Sequence, residues 1–600
     1  MLAHGHRLRW PYTERMEPTR PTDPIVLQAA ELVVDAFADY DARFADITRR
    51  ARRRFERRDW AGARQDAVAR IGLYDQCIAE TFERLERRLG GRMFSRSLWT
   101  QVRGEYARLI AEKLDAELNK TFFNTLTRRA FKMRGVDPSI EFVALDIEPT
   151  DRITHPVARH SYVAGDDLSR LFQRVLADYP FAVPYANPAR CAEATAAALR
   201  LRLRDWVGEP PMVALELLQT VFFRERRAYL VGRLFGRERH SPFVIALVNE
   251  DDAGIRVDAV LTDRADVSVL FGYTRSYFHA DLPTVGDAVV FLRGLLPNKP
   301  VAELYTVLGR AKQGKTERYR DFFHHLGHHG EERFVHADGE RGMVMAVFTL
   351  PSYPLVFKLI RDKFAFPKNI AREQVREKYD LVFRHDRIGR LVDAQEFRHL
   401  RFSRRQFTDE LLAELEQGCR HSVVFDGDDL VIVHCYIERR LRPLNLYLRE
   451  APPENARAAL LDYGQAIKDL ARSNIFPGDL LFKNFGISGA GRAVFYDYDE
   501  LCLVTECRFR HIPQARYEED EFSHETWYHV GENDVFPAQF PRFLGLAAEQ
   551  RALLLDVHGE IFDVDWWQQV RTDLLAGAYA DIPPYPESAR LPAPRSVDRD

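Results

Sequence analysis

The sequence predicts an α+β protein of at least two domains, a mostly helical N-terminal part followed by a part in which short strands alternate with helices. Three observations predict it. At 600 residues the chain exceeds what one core supports, since domains of roughly 100–200 residues are usual. From about Ile25 to Leu126, stretches such as IVLQAAELVVDAFADYDARFADI and LWTQVRGEYARLIAEKL repeat apolar residues at i, i+3, i+4 and i+7, the stripe of packed helices. Beyond about residue 330 the texture changes to strand, strand, helix, strand, helix, and residues able to do chemistry accumulate there.

Within the helical part, AYLVGRLFGRERHSPFVIALVNEDDAGIRVDAVL (228–261) reads as three short strands separated by Gly, Pro and Asp-rich turns, a small meander. The stretch FFHHLGHHGEERF (322–334) interrupts helical periodicity. Its His324, His325, His328 and His329 suggest a metal cluster, but Gly327 and Gly330 weaken any helix that would hold them on one face. A polar interdomain linker is expected there. The expected organisation is an N-terminal extension (1–24), a helical domain with its meander (25–328), a second domain (329–580) and a tail (581–600).

With 46% hydrophobic and 29% charged residues the chain has the composition of a folded protein. Its net charge of −3 provides no global attraction to nucleic acid or an anionic membrane, and RRARRRFERR (49–58) reads as a solvated helix face. The six cysteines are scattered without a Cys-x-x-Cys pair, so neither a zinc site nor a disulfide framework is expected, and a reducing cytoplasm fits. No stretch approaches the roughly 18 uninterrupted apolar residues of a membrane span, and the N-terminus has no apolar core of an export signal.

The chemistry concentrates in FPGDLLFKNFGISGAGRAVFYDYDE (476–500). Asp479 and Asn484 stand in a D-x-x-x-x-N spacing, and a strand ending at Asp497 follows thirteen residues after Asn484. That spacing is the one of a kinase catalytic loop, where the Asp accepts the substrate hydroxyl's proton and the Asn and a later Asp bind Mg²⁺. Alone the pair means little, and context decides. In FVHADGERGMVMAVFTLPSYPLVFKLI (334–360) a strand reaches a turn with Gly339 and Gly342, returns as a second strand, and a third strand carries Lys358. Glycines there let backbone N–H groups approach phosphate oxygens, and the lysine places a cation on the α- and β-phosphates. A helix in 370–397 offers Glu373 and Glu377, the latter 19 residues after Lys358, as its partner. The strand in DDLVIVHCYIERRLRPLNLYL (428–448) breaks at Glu438-Arg439-Arg440, a hinge able to offer backbone groups between Tyr436 and Arg439 to an adenine edge.

Taken together, GERGMVMAVFTLP, VFKLI, YIERR, NIFPGDLLFKNFG and VFYDYDE resemble the isocitrate dehydrogenase kinase/phosphatase (AceK) family, and AYLVGRL and KTERYR extend the likeness into the helical half. The resemblance implies a mostly helical regulatory domain followed by a bilobal protein-kinase-like domain. It implies one site that phosphorylates a serine of isocitrate dehydrogenase, met as its dimer, and removes that phosphate again, using ATP or ADP and Mg²⁺, with AMP as allosteric effector between the domains. This switches carbon between the citric acid cycle and the glyoxylate bypass. Matching positions put the ATP loop at Ala337, Asp338, Gly339, Glu340, Arg341, Gly342 and Met343, the ATP lysine at Lys358, metal ligands at Asn484 and Asp497, and catalytic acids at Asp393, Asp479 and Asp499. The chain's own oligomeric state stays open, a homodimer among the options.

The chain departs from ordinary kinases. Pro477-Gly478-Asp479 replaces H-R-D, D-Y-D replaces D-F-G, Lys483 just before Asn484 is the loop cation, and no A-P-E follows. Other readings are weaker. A D-x-D phosphatase fold lacks the downstream strands it needs, CLVTECR (502–508) lacks the glycines of a cysteine phosphatase, and a binding-only scaffold has no chemical need for Asp479.

Overall fold

A computed structural model describes residues 23–592 apart from 132–136, 143–155, 206–211, 238, 273–276, 366–369, 386–387, 514–527, 532 and 579. Almost all of the expected N-terminal extension and the last eight residues of the tail lie outside the described residues.

The helical periodicity produces four helices, α1 (Pro24–Glu56), α2 (Trp60–Leu89), α3 (Arg96–Ile110) and α4 (Ala116–Phe131). Asp23 caps α1, its carboxylate accepting from Ile25 N at 3.0 Å, and Pro24 occupies the first turn where a missing N–H costs nothing. Val26, Ala30, Val33, Phe37, Tyr40 and Phe44 form the buried stripe against α2 and α4. The arginine-rich end of α1 is pinned to α2, with Arg54 Nε 2.9 Å from the buried carboxylate of Asp66.

The meander is larger than the sequence suggests. Its three strands, Arg227–Phe235, His240–Val248 and Arg256–Leu261, are joined by Arg159–Val163, Ala214–Leu218 and Phe222–Arg224 into a six-stranded antiparallel sheet. The added strands have only three to five residues and are separated by helices Leu168–Asp178 and Pro188–Arg202, too little sequence for a period of two to register.

The expected linker is instead a helix, Ala311–His328, running through His324, His325 and His328. Packing overrides the weak glycine. Gln313, Glu317 and Arg320 are buried against the helical half, with Arg320 on Glu117 at 3.2 Å, while Phe322 and Leu326 enter the core of the second domain. The histidine rings pair along the helix end, His325 stacked on His329 and His324 tilted against His328.

The second domain has two lobes. One is a six-stranded antiparallel sheet in the order Gln395–Ser403, Asp429–Arg439, Leu355–Ile360, Met345–Thr349, Val335–His336, with Val423–Asp426 on the second strand. Phe334, Phe348, Phe357, Phe402 and Phe407 fill the side facing Ala311–His328. The other lobe is mainly helical, built on Pro453–Arg472, Ala548–His558 and Val564–Leu575 around Tyr463 and Trp567.

After this lobe the chain returns to the sheet of the N-terminal half. Arg227, 2% exposed, grips Asp581 through its two terminal nitrogens (2.5 and 2.6 Å) and donates from Nε to Tyr585 Oη at 2.7 Å, and Tyr585 donates to buried Asp258 at 2.5 Å. Arg590 reaches Asp258 at 3.1 Å, so residues 581–591 form a strap rather than a loose tail. Among the described residues, no helix is long and apolar enough to cross a membrane.

Candidate active site

Between the lobes lies a cleft of about 350 Å³. The hairpin between Val335–His336 and Met345–Thr349 forms its roof and brings Ala337 to Met343 to the opening. Gly339 sits at φ 108°, a conformation a side chain resists, which leaves the turn's backbone close to the cleft.

Lys358 projects from the next strand, and the structure corrects its partner. Its Nζ lies 2.7 Å from Glu438 Oε2 and donates to Tyr496 O at 2.7 Å. Glu373 and Glu377 point to solvent on helix Arg372–His385. Strand pairing is the reason: Tyr436 opposes Lys358, so Glu438, two residues on, shares its face at diagonal reach. The helix supplies Tyr379 instead, stacked on Tyr436 with centroids 3.8 Å apart. Burial raises the Glu438 carboxyl above the usual range although the Lys358 ammonium works the other way. Glu438 also corrects the hinge, because the strand continues through Arg439 and the next helix starts at Leu444.

The floor is the loop that follows helix Pro453–Arg472. Gly478, at φ 81°, is indispensable: a Cβ there would lie 2.6 Å from the Glu500 backbone oxygen. Asp479 accepts from Leu481 N at 2.9 Å, which fixes its carboxylate, and Asn484 Nδ2 donates to Asp479 O at 3.4 Å, leaving the amide oxygen for another partner. Tyr496 N donates to Asn484 O at 3.1 Å, which ties the strand ending at Asp497 to the loop. Asp479, Asn484, Asp497 and Asp499 all line the cleft with Lys358 and the whole turn from Ala337 to Met343. Across the mouth, Lys483 Nζ reaches Glu340 at 3.0 Å.

Asp393 is the expected site residue that the structure does not bring to this cleft. It borders a small crevice between the halves, 3.8 Å from Arg318, with Glu303 and Arg439. The preceding Val392 accepts from Tyr498 Oη at 2.6 Å, so Asp393 stands behind the D-Y-D segment. Sequence reasoning missed Glu438 as the lysine's partner, and the signal available was a charged residue ending a strand of apolar β-branched residues.

A second cavity of about 360 Å³ lies between the halves, lined by Tyr40, Arg70, Tyr74, Arg310, Lys312 and Lys315 among others. Arg70 Nε and Arg310 Nε and Nη1 are buried without a hydrogen-bond partner. Burial, aided by Arg310, lowers Arg70 to about 9, and burial with Lys312 lowers Lys315 to about 7.

Comparison with known sequences agrees with this geometry. The isocitrate dehydrogenase kinase/phosphatase (AceK) kinase-domain model matches residues 332–587 and the regulatory-domain model of the same family residues 30–330. The chain belongs to the isocitrate dehydrogenase kinase/phosphatase family. It is 60% identical to that enzyme of Xanthomonas euvesicatoria pv. vesicatoria over 566 residues, 94% of this chain and 97% of the relative. The enzyme of Anaeromyxobacter sp. (strain Fw109-5) is 44% identical over 572 residues, 95% and 99% of the two chains. In family terms the cleft lies wholly in the kinase domain, and the second cavity joins residues of both domains.

Proposed function

We propose that this chain transfers the γ-phosphoryl group of ATP to a serine hydroxyl of isocitrate dehydrogenase and removes it again at the same cleft, so setting flux between the citric acid cycle and the glyoxylate bypass. The observation that carries the reading is the convergence of Lys358, Asp479, Asn484 and Asp497 on one cleft under a glycine turn, in a chain of this family. Phosphoryl transfer asks for positioning and charge neutralisation, and these groups supply both.

The backbone from Ala337 to Met343 covers the phosphates, and Lys358, oriented by Glu438, pairs the α- and β-phosphates. Asp479 accepts the proton of the serine hydroxyl. The Asp497 carboxylate and the Asn484 amide oxygen are hard oxygen donors suited to Mg²⁺. Bound there, Mg²⁺ would neutralise charge on the β- and γ-phosphates. In the reverse direction the serine phosphate returns to ADP, and Asp499 orients the water that hydrolyses the ATP formed. Asp393, outside the cleft, acts on the D-Y-D segment from behind. The protein substrate is met as its dimer, in the cytoplasm.

AMP is the effector of the second cavity: its phosphate pairs with Arg70 and Arg310, whose open N–H groups await an anion, and its base lies among the tyrosines. The test follows labelled γ-phosphate from Mg-ATP onto purified isocitrate dehydrogenase and its release after ATP is exchanged for ADP. Labelling and ADP-dependent release, both lost in Asp497→Ala, are expected, with Arg310→Ala keeping transfer but losing the response to AMP. Absence of labelling by the parent chain overturns the reading, and labelling without release reduces it to a kinase.

A further inference from the structure

Behind the loop that carries Asp479, two thiols face each other. Cys502 Sγ lies 3.5 Å from Cys507 Sγ, and neither is linked. The single turn Val504–Glu506 folds the segment back, with Cys507 N donating to Val504 O at 3.1 Å. Cys502 is half-buried and Cys507 buried. Both backbone groups of Cys502 are tied to the loop: Phe476 N donates to Cys502 O at 2.8 Å, and Cys502 N to Phe476 O at 3.0 Å. Phe476 precedes Pro477-Gly478-Asp479, and Gly478 packs against Glu500, two residues before Cys502. Movement of Cys502 therefore passes to Asp479 from both sides.

We propose that Cys502 and Cys507 are a peroxide-reactive dithiol whose closure to a disulfide displaces the Asp479 loop and lowers phosphoryl transfer. The Cys502 thiolate attacks one oxygen of hydrogen peroxide and breaks the O–O bond, giving a sulfenic acid and hydroxide. Cys507 sulfur then attacks the sulfenic sulfur, the S–S bond forms, the S–O bond breaks, and the thiol proton leaves with the oxygen as water. In sum two thiols and one peroxide become one disulfide and two waters, the sulfurs losing two electrons and the peroxide oxygens gaining them.

The division of labour has a physical basis. A hydrogen bond from the Cys507 thiol favours the Cys502 thiolate, with Lys378 adding to it, while Cys507 is shifted upward by the same contact and by burial. Burial pushes Cys77 up to about 11 and Cys419 up to about 12, and neither has a thiol partner among the described residues. Closure shortens the sulfur separation from 3.5 Å to about 2.05 Å, and the backbone that follows is the backbone paired with Phe476.

The experiment treats the full chain with hydrogen peroxide, removes the excess, caps free thiols with an alkylating agent and maps tryptic peptides by mass, with transfer of labelled γ-phosphate measured in parallel. The peptide ending at Arg508 is expected unlabelled and lighter by two hydrogens. Activity is expected to fall at least about fivefold, since a displacement of about 1 Å near the chemistry costs that much or more, and dithiothreitol should restore it. Cys507→Ser and Cys502→Ser should each keep their activity under peroxide. Two labelled thiols after treatment overturn the proposal, as does a closed disulfide with undiminished activity or equal inactivation of both variants. The mass readout does not depend on the kinase reading, so a failed phosphorylation assay and a failed disulfide are told apart.

Discussion

Two six-stranded antiparallel sheets in this chain each bury an ion pair, with opposite consequences. In the regulatory sheet Arg227 is held by Asp581, Tyr585 and Asp258, a set closed upon itself by the strap at the end of the kinase-domain match. In the kinase sheet Lys358 is held by Glu438 and the Tyr496 carbonyl but also borders a 350 Å³ cleft. Both pairs are desolvated, so burial does not separate a structural pair from a functional one. What separates them is whether the cation's surroundings are completed by protein or by a cavity shaped for a ligand.

The comparison breaks first at Arg227. Arg227→Ala leaves Asp258 buried beside Tyr585 with Arg590 and Arg256 to compensate, and removing one partner of a buried pair costs about 3–5 kcal/mol. Urea unfolding should show that loss while the phosphoryl transfer of the folded fraction stays near that of the parent. Acid sharpens the result. Although burial works against it, Tyr585 and the arginines hold Asp258 below the usual carboxylate range. Its contribution is thus present above the unfolded value of about 3.9 and lost as pH falls through the lower folded value. The stability gap between parent and variant should therefore narrow below about pH 4.

How much of this was legible follows from where each constraint acts. That Asp479, Asn484 and Asp497 share one cleft with Lys358 was legible because the loop fixes their spacing within one short segment, and the glycine turn and Lys358 lie on consecutive strands. Glu438 was misread because its pairing depends on which residue of a distant strand opposes Lys358, and register is a property of the sheet. The strap was invisible for a similar reason: Arg227 and Asp581 lie 354 residues apart, and a tail rich in proline gives no local sign of what it will meet. Helix Ala311–His328 escaped because its two ends are buried against different domains, and that packing outweighs the propensity cost of Gly327. Asp393 was placed by resemblance alone, and its carboxylate stands at the domain seam rather than in the cleft.

The second break is at the functional pair. Glu438→Gln keeps the shape and removes the charge that orients Lys358, and kcat/KM for ATP should fall ~10–100-fold. Glu377→Gln, changing an exposed glutamate on the helix, should leave it unaltered. Equal losses in the two variants would restore the helix glutamate as the lysine's partner and remove the contrast between the sheets.

The smallest effect belongs to the contact across the cleft mouth, where Lys483 of the loop meets Glu340 of the glycine turn with side chains 35% and 66% exposed. An ion pair that open to water is worth at most about 1 kcal/mol and weakens with salt. On the proposed reading it engages a loop cation that would otherwise face incoming phosphate, so that ATP would displace Glu340 before Lys483 could contribute. Glu340→Gln should lower the KM for ATP by no more than about fivefold at low salt, with the difference shrinking as ionic strength rises. A KM that rises would mean instead that Glu340 helps to hold the turn over the nucleotide. The mouth of the cleft would then resemble the closed Arg227 tie more than the open Lys358 pair.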